Sequence, residues 1–334
     1  MGLADVQIGD SVGQVHTTFE QHYFAPPTHE TAIVPLRPDD GPALHVALAQ
    51  LAEQDPLINL RQDDTRRETF VSLYGEVQKE VIEATLANDY NLEVHFRSTT
   101  TICVERPVGS GVAGETLGAA DNPFCATVAF RVEPAPLETG LSFRMEVVDR
   151  TTIPIFIYKS VDEFQKAMAQ VVLETLEQGL HGWRVIDCTV FMTHAGYVSP
   201  TSNSGDFRKL APLALLRALQ QAGTQVCEPI HHFRLEGPLD TLTAALRLVA
   251  LSRALLLTQD IRGSTFILEG EIQAARVNEL QQQVPRSTRG EGVLEYAFDR
   301  YDPVDPELPI PERARTGPNP LNRKEYLAHV VRRL

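Results

Sequence analysis

Few residues of this chain stand where chemistry needs them. The four cysteines, Cys103, Cys125, Cys188 and Cys227, contain no Cys-x-x-Cys pair, which excludes zinc ribbons and thioredoxin-type redox sites. Each has apolar neighbours, and all four read as buried packing thiols. His231 and His232 are adjacent, so in a strand one points inward, the other faces solvent, and they cannot share a metal ion. His16 and His22 have no partner at metal-ligand spacing. Asp206 with Glu228, and Glu269 with Glu271, read as caps or solvated faces. There is no Gly-x-x-x-x-Gly-Lys-Ser/Thr, no Gly-x-Gly-x-x-Gly behind a strand and no Gly-x-Ser-x-Gly. The chain therefore lacks the familiar devices for cradling nucleotide phosphates and for presenting a hydrolase serine. A free-standing enzyme would need something like Cys188 with His181 or His194, and no spacing of nucleophile, base and orienting group supports it. No catalytic residue and no metal site are expected.

One segment has a different character. Tyr197-Val198-Ser199-Pro200-Thr201-Ser202-Asn203-Ser204-Gly205 sets small uncharged polar side chains around a φ-locked proline. Such a loop can approach a phosphate backbone closely, donate hydrogen bonds and lay a ring edge on a base. Composition alone favours the plainer reading, a flexible connection between a strand and a helix.

The surrounding charge matters for that choice. The 334 residues hold 44 acids against 30 bases, a net charge of −14, which argues against non-specific wrapping of nucleic acid. From Pro311 to Leu334, however, six bases (Arg313, Arg315, Arg323, Lys324, Arg332 and Arg333) face only Glu312 and Glu325, a local charge of +4. That tail is either a polyanion contact or a solvated helix. The length implies about two or three domains. No apolar run reaches the roughly 20 residues of a membrane span, and the N-terminus lacks the pattern of a secretory signal. A soluble, cytoplasmic protein is expected, binding neither membrane nor DNA.

Hydrophobic periodicity supplies the scaffold. Strands at Thr31–Leu36, Leu57–Arg61, Thr69–Leu73 and Leu92–Phe96 alternate with helices at Gly41–Glu53 and Glu76–Ala87 in the order β-α-β-β-α-β, a ferredoxin-like unit. The second helix is expected to turn Val77, Val81 and Ala84 inward. The same order recurs in Ile230–Leu235, Leu239–Leu251, Ala254–Gln259, Thr265–Ile272, Ala275–Val284 and Leu294–Phe298. Between them lies a piece with strands at Ala126–Val132, Leu141–Val148 and Val185–Met192. It also has a helix capped by Ser160 and Glu163 and another from Phe207 to Ala222, where Pro212 predicts a kink or a later start.

Several of these segments resemble known ones. Tyr74-Gly75-Glu76-Val77-Gln78-Lys79-Glu80-Val81 resembles the opening of the second helix of domain III in elongation factor G-type translational GTPases. Gln178 to Cys188 is similar to a stretch of domain IV, and Leu280–Tyr301 with Arg286-Ser287-Thr288-Arg289-Gly290-Glu291-Gly292 is similar to the end of domain V. Asp5–Asp10 resembles the closing turn of domain II. Val104-Glu105-Arg106-Pro107, Asn122-Pro123-Phe124 and Ser199-Pro200-Thr201-Ser202 with Asp206–Pro212 resemble one branch, the tetracycline-resistance ribosomal protection proteins, as does the extended terminus Pro318–Leu334.

The resemblance implies an α+β chain of three domains. Two ferredoxin-like βαββαβ sandwiches would flank an elongation factor G domain IV-like (ribosomal protein S5-like) α/β domain, with a C-terminal helix. The expected boundaries are 1–30 for a domain II remnant and linker, 31–102 for domain III and 103–227 for domain IV. Domain V would span 228–310 and the basic tail 311–334. It implies a C-terminal part that lacks the GTPase domain, so GTP and magnesium belong to an absent N-terminal half. The implied partner is the ribosome, at the 16S rRNA decoding centre and the large-subunit factor-binding region, with displacement of tetracycline as the function; an ordinary translocase is the alternative. The implied tip contacts are Ser199, Pro200, Thr201, Ser202 and Asn203. Their neighbours would be Tyr158, which stacks, Lys159, and the turn Gly179, Leu180, His181 and Gly182. Arg323, Lys324, Arg332 and Arg333 would meet rRNA phosphate.

Overall fold

The structure, a computed structural model, describes residues 26–55, 58–63 and 68–331. The expectations for residues 1–25 and for Arg332 and Arg333 lie outside the described residues. The rest forms two compact units, residues 26–102 with 228–302 and residues 103–227 with 303–331.

The first unit begins with β1 (His29–Pro35), α1 (Gly41–Gln54), β2 (Leu60–Asp63), β3 (Glu68–Leu73), α2 (Glu76–Tyr90), β4 (Val94–Phe96) and the short β5 (Thr100–Thr101). The sheet runs β2-β3-β1-β4 with antiparallel pairs, the ferredoxin-like order. Leu44, Ala47 and Leu48 of α1 pack with Ile82 and Leu86 of α2 over Ile33, Val71, Leu73 and Phe96. The inward face of α2 differs from the expected one: Val77 and Val81 are 68% and 58% exposed. Two apolar i,i+4 pairs compete on this helix, Val77/Val81 and Ile82/Leu86. They lie one residue out of phase, and the bulkier pair takes the core.

The middle piece holds β6 (Val104–Pro107), β7 (Gly111–Glu115), β8 (Ala126–Pro134), β9 (Leu141–Met145), α3 (Ile155–Tyr158), α4 (Val161–Leu176), β10 (Arg184–Val185), β11 (Cys188–Tyr197) and α5 (Ser204–Ala222). Its main sheet is β7-β8-β11-β9; β11 is antiparallel to β8 and parallel to β9. Ser160 caps α4 through the Glu163 amide, and α4 buries Phe164, Met168, Val171, Val172 and Leu176. α5 runs unbroken through Pro212 and is almost wholly buried from Leu210 to Leu219. Packing holds the helix where the missing amide would otherwise break it.

The chain then forms β12 (Thr224–Pro238), α6 (Leu242–Leu251), β13 (Leu255–Arg262), β14 (Thr265–Gln273), α7 (Ala274–Ser287) and β15 (Val293–Pro303). Within the first unit these give β13-β14-β12, with β15 on the far side of β12, the same ferredoxin-like order again. Phe233, Leu235, Phe266 and Leu268 meet α6 and α7 through Leu248, Leu280 and Val284. His231 is buried and His232 exposed, as strand alternation requires.

Beyond β15 the chain belongs to the second unit from Pro303 onward. The Val304 amide donates to the Val226 carbonyl at 3.0 Å. The chain ends in α8 (Arg323–Val331), whose Tyr326, Leu327 and Val330 pack on the core of the middle piece.

Candidate nucleic-acid interface

β11 delivers the chain to Tyr197, and α5 takes it back from Ser204, so the intervening loop caps one end of the second unit. The loop closes on itself. Ser202 Oγ accepts from the Val198 amide at 2.8 Å and donates to the Cys125 carbonyl, while the Ser202 amide donates to the Val198 carbonyl at 2.8 Å. Asn203 is the N-cap of α5: its Oδ1 accepts from the Gly205 amide at 2.9 Å, and Asp206 accepts from the Asn203 amide at 2.8 Å, a full capping box. The expectation that Ser202 bonds RNA is corrected by its burial; Asn203 caps α5 and is exposed. Their side chains satisfy the loop and the helix end, and Ser202 is buried. Val198, Ser199, Pro200, Thr201 and Asn203 are left exposed, with a cis Ser199–Pro200 peptide.

α3 stands beside this loop. Tyr158 packs edge-on against Phe164 and Phe207, with centroids at 5.0 and 6.1 Å, and its hydroxyl donates to the Ser204 carbonyl at 3.5 Å. Tyr158 is half-buried against the core, and that burial raises its phenol pKa. Phe156 is the more exposed aromatic of α3. It is 50% exposed, with its ring 5.2 Å from that of Tyr197. The run Ile155-Phe156-Ile157-Tyr158 signalled that two of these side chains must face out; which two depends on the direction of a four-residue helix. Lys159 follows, exposed, at φ 67°.

The turn Gly179–Gly182 is not at this end. α4 separates it from Lys159 by 16 residues, or about 24 Å of helix at 1.5 Å per residue. There the amides of Leu180, His181 and Trp183 converge on the fully buried carboxylate of Glu105, at 2.7, 2.8 and 3.1 Å. Thr224 Oγ1 adds a fourth donor at 2.7 Å. The turn is an anion nest filled by the chain's own carboxylate.

Three arginines of the basic tail, Arg313, Arg315 and Arg323, are engaged within the unit. Arg315 is buried and donates to the carbonyls of Gln178 and Gly179. Arg313 lies over the Trp183 ring at 5.5 Å, and Trp183 Nε1 donates to the Pro311 carbonyl at 2.8 Å. Arg323 grips Glu115 with two nitrogens, at 2.6 and 2.9 Å. Arg323 is thus occupied by an internal carboxylate rather than presented to phosphate; Lys324 is exposed. The enzyme alternative also loses its nucleophile, because burial, with Asp187 beside it, pushes the Cys188 thiol up to about 12. Among the described residues no group of three or more His, Cys, Asp or Glu is disposed to hold a metal ion.

The cysteines give a direct check. Cys103, Cys188 and Cys227 are buried, whereas Cys125, beneath the loop, is partly exposed. In native protein Cys125 should react with a maleimide at least tenfold faster than the other three. Peptide mapping showing equal labelling of Cys188 would contradict this packing.

Three family models match in order: Elongation Factor G, domain III, at 24–98, Elongation factor G, domain IV, at 119–223, and Elongation factor G C-terminus at 225–310. The chain belongs to the elongation factor G family. Within it, the chain is 39% identical over 338 residues to the oxytetracycline resistance protein of Streptomyces rimosus, covering 100% of the chain and 50% of that protein. It is 33% identical over 328 residues to the tetracycline resistance protein TetP of Clostridium perfringens, covering 98% of the chain and 49% of that protein. For TetM of Streptomyces lividans the figures are 37% over 294 residues, 86% and 44%. The chain spans about half the length of the curated relatives it matches. A crystal structure of a protein from Thermus thermophilus shares the fold, with a TM-score of 0.60 over 92% of this chain and 43% of that one, at 21% identity. The loop and Phe156 fall within the stretch matched by domain IV. No helix among the described residues is long and apolar enough to cross a membrane.

Proposed function

We propose that this chain is the ribosome-facing C-terminal part of a tetracycline resistance protein of the ribosomal protection kind, acting at the small-subunit decoding centre to displace the drug. The observation that carries the reading is the tip itself: a loop braced from within by the buried Ser202, which leaves Val198, Ser199, Pro200, Thr201 and Asn203 exposed, with Phe156 and Lys159 nearby in the same unit. A rigid, uncharged projection approaches packed RNA without the desolvation cost of a charge. Its aromatic ring offers a stacking face, and Lys159 a phosphate contact. The names of the relatives support the same reading. GTP and its magnesium ion belong, on this proposal, to a part outside this chain, where hydrolysis releases the factor from the ribosome. The large-subunit factor-binding region is the second proposed contact.

The test is a chimera that joins the N-terminal half of the Streptomyces rimosus relative to this chain. Replacing Ser199–Thr201 by glycines, or Phe156 by Ala, should slow release of labelled tetracycline from ribosomes at least tenfold. Ribosome-stimulated GTP hydrolysis should continue. Release at the parent rate in the glycine loop variant reduces the tip to a connector and sinks the proposal. Growth support for a translocase-depleted strain, without resistance, would make the chain part of a translocase instead.

A further inference from the structure

The proposed function places the working loop at the N-terminus of α5, and the structure ties that helix down from an unexpected quarter. Pro212 has no amide hydrogen, so the carbonyl one turn earlier, at Arg208, has no intrahelical donor. The neighbouring carbonyl, Lys209, accepts the Tyr326 hydroxyl at 2.8 Å. Tyr326 is 6% exposed and is the buried residue of α8. A second tie lies further along the same helix. Glu115, itself 4% exposed, holds Arg217 of α5 at 2.8 Å and Arg323 at the start of α8 at 2.6 Å. Lys209 and Arg217 are eight residues apart, or about 12 Å along the axis. α8 therefore grips α5 at two separated points, which fixes direction as well as position.

We infer that Tyr326 is a positioning residue for the tip: by bonding the Lys209 carbonyl it holds the first two turns of α5, and with them the capping box and the Ser199–Thr201 loop. Without the hydroxyl, the loop side of Pro212 keeps its remaining intrahelical bonds, its cap and the Tyr158 bond to Ser204, but loses its hydrogen bond to α8. The tail that the sequence marks as a phosphate-binding arm acts instead as a brace. This assignment rests on the tip being the working surface, and its test separates the two.

The variant is Tyr326→Phe, which keeps the ring in its pocket and removes only the bond. Hydrogen exchange on the native chain should speed up about fivefold in peptides covering Asn203–Ala211, the change expected for one net hydrogen bond. Peptides from β8 and β11 should not change, and the thermal midpoint should move by no more than about 2 °C. Unchanged exchange at Asn203–Ala211, or an equal increase across the whole domain, overturns the assignment. In the chimera, tetracycline release should slow several-fold while ribosome affinity stays the same. If exchange rises locally and the glycine loop variant slows release, yet Tyr326→Phe does not, the brace does not serve the tip and the assignment also falls. If the glycine loop variant releases drug normally, the functional reading fails, and the exchange result alone decides the brace.

Discussion

Replacing Glu105 by Gln is expected to destabilise the second unit by about 3–5 kcal/mol, the range for breaking a buried, fully bonded charge site. The side chain is fully buried, and all four of its partners donate: three backbone amides and the Thr224 hydroxyl. A glutamine would aim its own N–H groups at some of these donors, and no rotation of the amide removes the conflict. Relief by backbone movement is limited too, since a Cβ on Gly179 would lie 2.6 Å from the Glu105 carboxyl, so the turn already sits at closest approach. Trp183 is the single tryptophan and is 3% exposed, so its emission reports on this turn directly. In urea the Trp183 transition should move down by about 1–2 M. A shift below 0.3 M (about 0.5 kcal/mol at a typical slope) would mean that the nest holds nothing together.

Acidification should weaken the first unit through His231. Its Nε2 faces the Thr28 hydroxyl at 3.3 Å, its Nδ1 has no hydrogen-bond partner, and its ring stands edge-on to Tyr296 and Phe298. Burial first, then the neighbouring His29, pull its pKa down from 6.5 to about 4. The folded imidazole is therefore neutral where an unfolded one binds a proton. The stabilisation is complete above pH 6.5 and drains away as pH falls towards 4. Between pH 7.5 and 5 the loss from this group is about 2 kcal/mol. His231→Gln should remove that part of the slope while His232→Gln leaves it. Equal slopes in wild type and His231→Gln would show that the burial of His231 has no energetic consequence.

The two ferredoxin-like sheets were legible because each element follows its own short-range pattern and its partners come from the same stretch of chain. Leu44 and Leu48, Phe233 and Leu235, and the His231/His232 alternation could all be read from period alone. The phase of α2 could not, since Val77/Val81 and Ile82/Leu86 fit a helix equally well until their volumes meet a common core. β6 was invisible for another reason: its partners, Arg184–Val185 and Thr224–Cys227, lie far along the sequence, and its burial depends on them. The tip was half legible. Asn203 and Asp206 carry a readable capping-box spacing that moves the helix start from Phe207 to Ser204 and gives Asn203 a structural task. Glu105 carries no local signal, because its donors belong to residues 180–183 and 224.

The return of the chain to the second unit at Pro303 also fixes an order of events on the translating ribosome. Strands and helices of residues 103–227 emerge early, but Arg323 and Tyr326, which complete that unit, appear only after the whole of residues 228–302 has been made. At synthesis rates of roughly 5–20 residues per second, the interval is on the order of 5–20 s. During it the Glu115 carboxylate waits for its bidentate partner, and α5 waits for its second anchor. A chain that stops short of α8 would leave the exit tunnel carrying every residue of the tip but not the strut behind it. Completeness of the tip is thus read out only once residues 323–326 have been made.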